Sequence, residues 1–579
     1  MKRKATGGGR RRPTVAPSGD RRSNALPALL VSLLLVAAIV VVFGQVVGFE
    51  FVTADDGPYV TQNPTVRAGL STYGVRWAFG FRESNWHPLT WLSLMLDATV
   101  GGLDPRVFHL TNLVLHAANA ILLFHVLLRM TVALWRSCFA ALLFAVHPQH
   151  VESVAWVVER KDVLSTLFWL LTVLAYAGYA RRPSRPRSLL VAAGLAAGLM
   201  AKPMLVTLPV TLLVVDFWPL RRPRSIVEKV PLFALSAAAA AITLLAQSAG
   251  GAVSGLAALP FAVRAGNAAV SYVVYVVKTV WPTGLAYFYP HPGRSLSTGL
   301  VLACVALLAV VSALAIAARG RFPYVTFGWL WYVITLVPVA GLVQVGQQAR
   351  ADRYTYVPLI GLFVATAWGA ADLAGRASVL RRRLVAAACA VSVVALAVAA
   401  HRQTHHWRDS VSLYQRALAV TSNNAVAHAN LSLALLVGGD PEGAIAHGRA
   451  ALRIQPAHPE APKHLATALA HQGRHDEAVA IYREALARRP DDATLHSNLG
   501  TVLIELGRLE EADASFREAL RLAPGWANAH NNLGVLLASQ GRYDEAVVAF
   551  TTALELSPFD EEVRTNLELA RSMRSAQNP

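Results

Sequence analysis

The fold of the second half of the chain is decided by residues 491–524, DDATLHSNLGTVLIELGRLEEADASFREALRLAP, which are followed directly by GWANAHNNLGVLLASQGRYDEAVVAFTTALELSP at 525–558. Both segments are 34 residues long, and two further copies precede them from residue 425. Two sets of residues recur at this spacing: Pro456, Pro490, Pro524 and Pro558, and Ala444, Ala478, Ala512 and Ala546. Small alanines let two helices approach closely, and a proline ends the second helix. The sequence therefore predicts four stacked helix–turn–helix units.

The length and pattern of the unit match the tetratricopeptide repeat (TPR). We expect an α-solenoid of four TPR units over 425–560, with a capping helix and tail over 561–579. The first helices carry an asparagine series: Asn430, Asn498 and Asn532, with His464 at the same place in the second unit. These side chains would line the concave groove, where an amide can bind an extended peptide, and the series resembles the asparagine ladder of peptide-binding TPR proteins. The alternative is that they only stabilise the turns between units.

The first half of the chain is apolar rather than amphipathic. Of the 579 residues 54% are apolar and 15% charged, whereas about a quarter are charged in a soluble domain. We expect a polytopic membrane domain of about eleven helices over 26–400 and a connector helix over 401–424, so that the whole fold is all-α. The predicted spans lie near 26–47, 109–130, 135–147, 163–180, 188–201, 203–218, 229–248, 298–318, 324–343, 354–374 and 384–400. The short stretch 267–281 is predicted to be an interfacial or re-entrant helix.

The net charge of +18 comes from clusters between the apolar runs. Clusters in such places are typical of orientation by the positive-inside bias, and they argue against nucleic-acid binding. The basic tail of residues 1–25 is therefore expected in the cytoplasm, and an odd number of spans places the repeats outside it. We expect a multi-pass protein of a bacterial inner membrane with a periplasmic solenoid. The three cysteines all lie in apolar stretches, which predicts neither a disulfide framework nor a cysteine-type zinc site.

Chemically active side chains gather in the predicted outer loops. These loops span 48–108, 148–162, 249–297 and 344–353. Asp55 and Asp56 suit a general base near the bilayer surface, although Asp-Asp-Gly-Pro is also common turn and capping chemistry. Arg160 and Lys161 suit a clamp for a lipid phosphate, although both could instead pair with neighbouring carboxylates.

Three further cations are predicted on the outer side, where the positive-inside bias disfavours them: Lys202, Arg350 and Arg353. Ionisable groups at membrane depth are functional candidates by default. His150 and Glu152 lie close together, but their spacing matches no standard zinc motif. The sequence therefore predicts no metal site, and a divalent cation is allowed rather than required.

The outer loops contain five stretches with a more specific pattern. They are Asp55-Asp56-Gly-Pro-Tyr59-Val, Asn85-Trp-His-Pro-Leu-Thr-Trp91, His147-Pro-Gln-His-Val-Glu-Ser-Val-Ala-Trp156 with Glu159-Arg-Lys-Asp162, Ala201-Lys-Pro203 and Ala351-Asp-Arg-Tyr-Thr-Tyr356. Together with the TPR tail, they resemble the TMTC type of transmembrane and TPR-containing O-mannosyltransferases and its bacterial relatives. The resemblance implies a GT-C glycosyltransferase fold with an outer-face active site. It also implies a mannose-like sugar on a polyprenyl phosphate as donor, and Ser or Thr of an extracytoplasmic protein as acceptor.

Carried to this sequence, the resemblance makes Asp55 or Asp56 the base that deprotonates the acceptor hydroxyl. A lipid-phosphate leaving group develops negative charge, which calls for cations. The candidates are Arg160, Lys161, Arg353 and Lys202. The side chains expected to orient the substrates are His87, His150, Glu152 and Tyr289. No cofactor is expected to be obligatory, because a lipid phosphate is already an activated leaving group.

Two alternatives stay open at this stage. The same transferase chemistry could act on a polysaccharide or lipid acceptor. The chain could also be a non-catalytic membrane scaffold, whose TPR domain assembles an envelope complex.

Overall fold

The computed structural model describes residues 25–223, 225–249, 259–343, 346–375 and 378–577. In these residues a helix bundle is followed by a helical solenoid, which confirms the predicted all-α fold class. The predicted basic tail lies outside the described residues apart from Ala25, as do residues 250–258 and 344–345 of the predicted outer loops.

The bundle contains long helices joined by short helices and turns. Its helices are α1 Ala25–Phe43, α2 Pro64–Arg67, α3 Thr72–Ala78, α4 Pro88–Gly101, α5 Pro105–Thr131, α6 Leu134–Val146, α7 Val151–Ala155, α8 Arg160–Arg181, α9 Arg185–Ala201, α10 Leu208–Phe217, α11 Val230–Ala249, α12 Phe261–Val280, α13 Thr298–Ala317, α14 Pro323–Leu336, α15 Leu359–Gly375, α16 Val379–Thr404 and α17 Ser410–Val420. Strands β1 Tyr289–Pro290 and β2 Gln348–Arg350 form one short antiparallel pair.

Six segments of the described chain are long and apolar enough to cross a membrane, so the protein is a multi-pass membrane protein. They are Ala25–Gly48, Pro105–Thr131, Val157–Arg181, Val227–Ala249, Thr298–Gly320 and Val379–Trp407. The other five predicted spans hold helices of 10 to 17 residues. At 1.5 Å per residue such helices reach roughly 15–26 Å, less than the hydrocarbon core of about 30 Å. A count of eleven crossings therefore stays a prediction. Helix α12, which covers the stretch expected at the interface, is not among the six.

Loop segments at one end of the bundle pack into a compact layer. This end, called the site face here, carries α2, α3, α4, α7 and the β1–β2 pair. Helix-starting residues determine where the helices next to this layer begin. Pro88 stands at the first position of α4, and the Asp104 side chain accepts a hydrogen bond from Arg106 N at the start of α5. The opposite end, called the arginine face, carries Arg129, Arg181 and Arg187 at helix ends.

The solenoid consists of four helix pairs and a final helix. They are α18 Ala425–Val437 with α19 Pro441–Ile454, α20 Ala461–His471 with α21 His475–Arg488, α22 Ala493–Glu505 with α23 Leu509–Leu522, α24 Ala527–Ser539 with α25 Tyr543–Leu556, and α26 Glu561–Gln577. Each of the last two pairs fits a large side chain against a small one. A Cβ on Gly500 would lie 2.8 Å from the Phe516 ring, and a Cβ on Gly534 would lie 2.6 Å from the Phe550 ring.

The predicted connector helix is divided between the end of α16, a turn at His405–Trp407 and α17. Helix α17 lies in the register of a second TPR helix, because Tyr414 and Ala417 precede Tyr482 and Ala485 by two repeat lengths. Tyr414 and Ala417 are fully buried. The solenoid therefore begins one helix earlier than predicted, and this extra helix docks on the bundle.

The solenoid contacts the site face near both of its ends. At the first end, Thr53 N donates to Ser410 Oγ at 2.8 Å, and the hydroxyls of Thr53 and Tyr414 lie 3.1 Å apart. At the far end, the rings of Tyr73 and Phe559 meet edge-to-face, with centroids 5.2 Å apart. The first loop of the bundle thus contacts the solenoid at two widely separated points.

One helix crossing in the bundle has no space for a side chain. A Cβ on Gly328 in α14 would collide with the carbonyl oxygen of Gly361 in α15, and the reverse is also true. We expect Gly328→Ala to force the helices apart and to lower the free energy of unfolding by about 1–3 kcal/mol. Thermal unfolding of the detergent-solubilised protein measures this. The control is Gly299→Ala at an exposed position of α13, where the nearest heavy atom would lie 3.7 Å away. A destabilisation of equal size in both variants would contradict the assignment.

Candidate functional site

Asp56 fastens the first loop of the site face to the bundle. Its carboxylate accepts hydrogen bonds from Val52 N at 2.9 Å and Val158 N at 3.2 Å. The side chain is 1% exposed, and this burial raises the pKa of Asp56 to about 7. Both carboxylate oxygens are thus used within the protein. Asp56 suits a positioning role better than that of a base.

Asp55 has the opposite environment, because it is exposed at the surface. Two tyrosines lie close enough to respond to its charge. Burial raises the pKa of Tyr59 and of Tyr287 well above the usual range, and the nearby Asp55 carboxylate adds to both shifts. Tyr59 belongs to the bundle, whereas Tyr287 faces the solenoid through a hydrogen bond with Asn430 at 3.1 Å. Asp55 therefore lies at the seam between bundle and solenoid.

Three cations converge on one buried carboxylate beside this seam. Lys161 Nζ lies 3.2 Å from Glu159 Oε1, Lys202 Nζ lies 3.5 Å from Glu159 Oε2, and Arg353 Nε lies 3.1 Å from Glu159 Oε1. The Lys161 ammonium also lies over the Tyr59 ring, 5.4 Å from its centroid. This group of Glu159, Lys161, Lys202 and Arg353 is called the cation cluster here. Tyr59 connects it to Asp55.

Two further carboxylates balance the cation cluster. Lys202 Nζ donates to Asp162, and Arg353 pairs with Glu152 through its guanidinium and through its backbone N–H at 2.9 Å. Burial raises the pKa of Glu152 to about 7, although the charge of Arg353 opposes this shift. The three cations of the cluster thus lie among three carboxylates, those of Glu152, Glu159 and Asp162.

Arg160 does not belong to the cation cluster, which corrects its predicted role at a phosphate. Its side chain is 0% exposed and donates to Asp97 Oδ2 at 2.6 Å, Phe108 O at 2.8 Å and Ser93 Oγ at 2.7 Å, and also to Asn112. All three guanidinium nitrogens are used. Arg160 therefore joins α8 to α4 and α5 inside the bundle and has no surface left for a ligand.

The four side chains predicted to orient the substrates are buried below the protein surface. His150 is fully buried among rings, and its Nδ1 lies 2.8 Å from Phe144 O. His87 is buried beside the stacked rings of Tyr59 and Trp91, and burial lowers its pKa to about 3. Neither histidine ring reaches the surface, so a role of these two residues in orienting the substrates stays a prediction.

Glu152 and Tyr289 are buried supports as well. Glu152 holds Arg353, as described above. The Tyr289 hydroxyl donates to the Asp352 carboxylate at 3.0 Å and accepts from Ala286 N at 3.0 Å. This contact holds β1 next to the segment that supplies Arg353. Direct substrate contact is not supported for either residue, since both are almost completely buried.

In the asparagine series of the solenoid, some side-chain amides form hydrogen bonds within the protein and one does not. Asn430 donates to Tyr287, and Asn532 Nδ2 donates to Ser497 Oγ of the preceding unit at 3.2 Å. His464 lies 2.9 Å from Ala429 O of the preceding unit in the same way. These contacts fit the alternative of repeat-to-repeat stabilisation. The Asn498 amide nitrogen is buried and has no hydrogen-bond partner in the described residues.

The sequence did not indicate two important residues, Glu159 as the centre of the cations and Tyr287 as the link to Asn430. Both roles depend on contacts between distant segments, for which a single sequence gives no signal. A search of the described residues for groups of three or more His, Cys, Asp or Glu side chains that could hold a metal ion finds none.

A membrane bundle with a TPR solenoid docked on its loop layer defines a class of protein. Comparisons with known proteins match the solenoid half of this arrangement. Tetratricopeptide repeat models match residues 460–525, 491–558 and 395–462. The last match includes α17. A thermophilic TPR protein of Thermus thermophilus is 26% identical, with a TM-score of 0.27 over 31% of this chain and 94% of that structure.

Curated relatives confirm the family resemblance predicted from the sequence: the chain is a relative of the TMTC O-mannosyltransferases with TPR repeats. Mouse protein O-mannosyl-transferase TMTC1 is 36% identical over 183 residues, which are 29% of this chain and 18% of the relative. Human protein O-mannosyl-transferase TMTC4 is 31% identical over 185 residues, 28% of this chain and 25% of the relative. The matches therefore span about a fifth to a quarter of the relatives' length.

The contrast between the two aspartates predicts different effects on stability. Folding raises the pKa of Asp56 from about 4 to about 7. The folded protein therefore keeps the Asp56 proton up to a higher pH than the unfolded chain does. The stabilisation that this difference gives is complete below about pH 4 and is lost as the pH rises towards 7. We expect Asp56→Asn to lower the melting temperature, because one buried N–H loses its acceptor at a cost of about 1–3 kcal/mol. It should also flatten the pH dependence between 4 and 7.

Thermal unfolding across this pH range is the measurement. Asp55→Asn is the matched control, since the exposed Asp55 should leave the unfolding curve unchanged. Equal destabilisation by both substitutions would contradict the assigned roles.

Proposed function

We propose that this protein is an integral-membrane glycosyltransferase of the GT-C type. It transfers a mannose-like sugar from a polyprenyl phosphate to a Ser or Thr hydroxyl of an extracytoplasmic protein bound by the solenoid. The similarity to the protein O-mannosyl-transferases TMTC1 and TMTC4 supports a protein O-mannosyl transfer. The TPR matches support a protein partner.

One observation carries the proposal: an exposed carboxylate lies between a cation cluster and a binding solenoid. The charge of Asp55 acts on Tyr59, whose ring contacts Lys161, and on Tyr287, which forms a hydrogen bond with Asn430. Transfer of a sugar from a lipid phosphate to a peptide needs a base, a stabilised phosphate and a held acceptor in one place. The seam has candidates for all three.

Asp55 is the proposed general base. Its carboxylate takes the proton of the acceptor hydroxyl as the bond from that oxygen to the anomeric carbon forms. The bond from the anomeric carbon to the phosphate oxygen breaks, and the leaving phosphate keeps the electron pair. Asp56 holds the loop in place through Val52 and Val158.

The cation cluster is the proposed site of the donor phosphate. Lys161, Lys202 and Arg353 are already held in place by Glu159, so little reorganisation is needed when charge develops on the phosphate. Lys161 is the most exposed of the three side chains. We therefore assign the first contact with the phosphate to Lys161, and a supporting role to Lys202 and Arg353.

The base assignment predicts a specific loss of activity. We expect Asp55→Asn to reduce sugar transfer by about 10²–10⁴-fold, the usual contribution of a positioned general base. The measurement is transfer from a synthetic polyprenyl-phosphate mannose to protein, by the full-length protein in nanodiscs. Glu50→Gln is the matched control, since Glu50 is an exposed carboxylate of the same loop. Full activity of Asp55→Asn would exclude Asp55 as the base.

An experiment on whole cells tests the two alternatives. Mass spectrometry of envelope material from cells with and without the gene shows which molecules lose a sugar. Loss from glycopeptides supports the protein acceptor, whereas loss only from polysaccharide or lipid supports a different acceptor. If no glycan changes, but partner proteins no longer co-purify, the protein is a scaffold.

The groove predicts a difference between two asparagines of the same series. We expect Asn498→Ala to weaken binding of acceptor protein several-fold, because the Asn498 amide has no partner within the described residues. Asn532→Ala should chiefly lower stability, because the Asn532 amide is used at Ser497. Affinity for acceptor and thermal unfolding, measured side by side, separate the two effects. Unchanged affinity in Asn498→Ala would contradict a peptide contact there.

A further inference from the structure

A cavity of about 500 Å³ opens between α8 and α9, towards the arginine face and away from the candidate site. Its walls are the apolar side chains of Phe168, Leu171, Leu174 and Leu190. Small residues leave the space open: Ala175, Gly178, Ala193, Gly194 and Ala197. Leu171 and Leu190 are exposed on the outside of the bundle. The cavity is therefore a groove that the surrounding hydrocarbon can enter.

Two arginines line this cavity. Arg129 lies in the last turn of α5, and Arg187 lies in the first turn of α9. Arg187 Nη1 donates to the carbonyl oxygens of Arg182 at 2.7 Å and Gly178 at 3.4 Å. No carboxylate of the described chain forms an ion pair with Arg129 or Arg187, and the first turn of α9 contains no acidic residue.

Helix dipoles and the orientation bias account for only part of this arrangement. The dipole of α5 favours a cation at its C-terminal end, which explains Arg129. The dipole of α9 disfavours a cation in its first turn, so it does not explain Arg187. The positive-inside bias accounts for arginines at this face, but it does not require them to line an apolar cavity. An anion between the two guanidinium groups would account for both positions.

We infer that the α8–α9 cavity binds an anionic glycerophospholipid. The phosphate lies between Arg129 and Arg187, and one acyl chain runs along α8 past Leu174 and Leu171 to Phe168. From Gly178 to Phe168 the helix rises roughly 15 Å, which is half of the hydrocarbon thickness of about 30 Å. The charged end and the length of the groove thus fit one leaflet of a bilayer. This inference is independent of the proposed sugar transfer.

Native mass spectrometry of the full-length protein in mild detergent tests the inference. The probes are phosphatidylglycerol and phosphatidylcholine with identical acyl chains. We expect the wild type to retain phosphatidylglycerol several-fold over phosphatidylcholine. The double substitution Arg129→Gln with Arg187→Gln should bring this ratio close to one.

Two further variants keep the test specific. Gly178→Leu should reduce retention of both lipids, because it fills the groove at a position where an added Cβ meets no atom within 4 Å. Arg381→Gln with Arg382→Gln removes the same charge from exposed positions of α16 and should retain the wild-type ratio. Inorganic phosphate, added against chloride of equal ionic strength, should not displace the lipid.

Three results would overturn the inference. The first is a wild-type ratio in the Arg129 and Arg187 double variant. The second is an equal loss in the α16 control, which would show a general effect of net charge. The third is displacement by inorganic phosphate, which would show a phosphate site rather than a lipid site.

Discussion

The candidate site depends on one buried carboxylate, Glu159, that three cations from distant parts of the chain share. Lys161 comes from the start of α8, Lys202 follows α9, and Arg353 follows β2. A buried charge that loses its partner costs about 3–5 kcal/mol. None of these segments can therefore move away without a large loss of stability. Glu159 holds together three cations that would otherwise repel one another.

In two pairs of adjacent residues in this layer, one side chain is buried and the other reaches the surface. The buried side chain supports the backbone, whereas the other is free to take part in chemistry. Asp55 is exposed, whereas Asp56 accepts two backbone hydrogen bonds. Lys161 reaches the surface beside Tyr59, whereas Arg160 is surrounded by Asp97 and other acceptors inside the bundle. In both pairs, one member anchors the backbone that presents the other. A buried anchor of this kind gives a loop the rigidity that a catalytic group needs.

Those same pairs show what could be predicted from the sequence. The TPR units were predictable because a 34-residue period repeats local packing, and the six long apolar segments were predictable because hydropathy is also local. The roles within Asp55-Asp56 and Arg160-Lys161 were not predictable. Adjacent residues on a helix or turn point in different directions, and their surroundings come from α4, α5 and the solenoid. Helix α17 was missed for a related reason, since Ser422 replaces the proline that follows the second helix of each later unit, and the partner surface of α17 is the bundle.

The two-point docking of the solenoid gives the concave groove a fixed relation to the candidate base. TPR units contact only their neighbours, so a solenoid that is not attached at both ends can bend along its length. Here Tyr414 fixes one end to Thr53, and Phe559 meets Tyr73 at the other. The groove is therefore held over the first loop, with Asn430 used at the seam and Asn498 farther along with an amide that has no partner in the described residues. Both docking contacts belong to the loop that presents Asp55, so an extended polypeptide bound along the solenoid would lie on a support that is fixed to this loop at both ends.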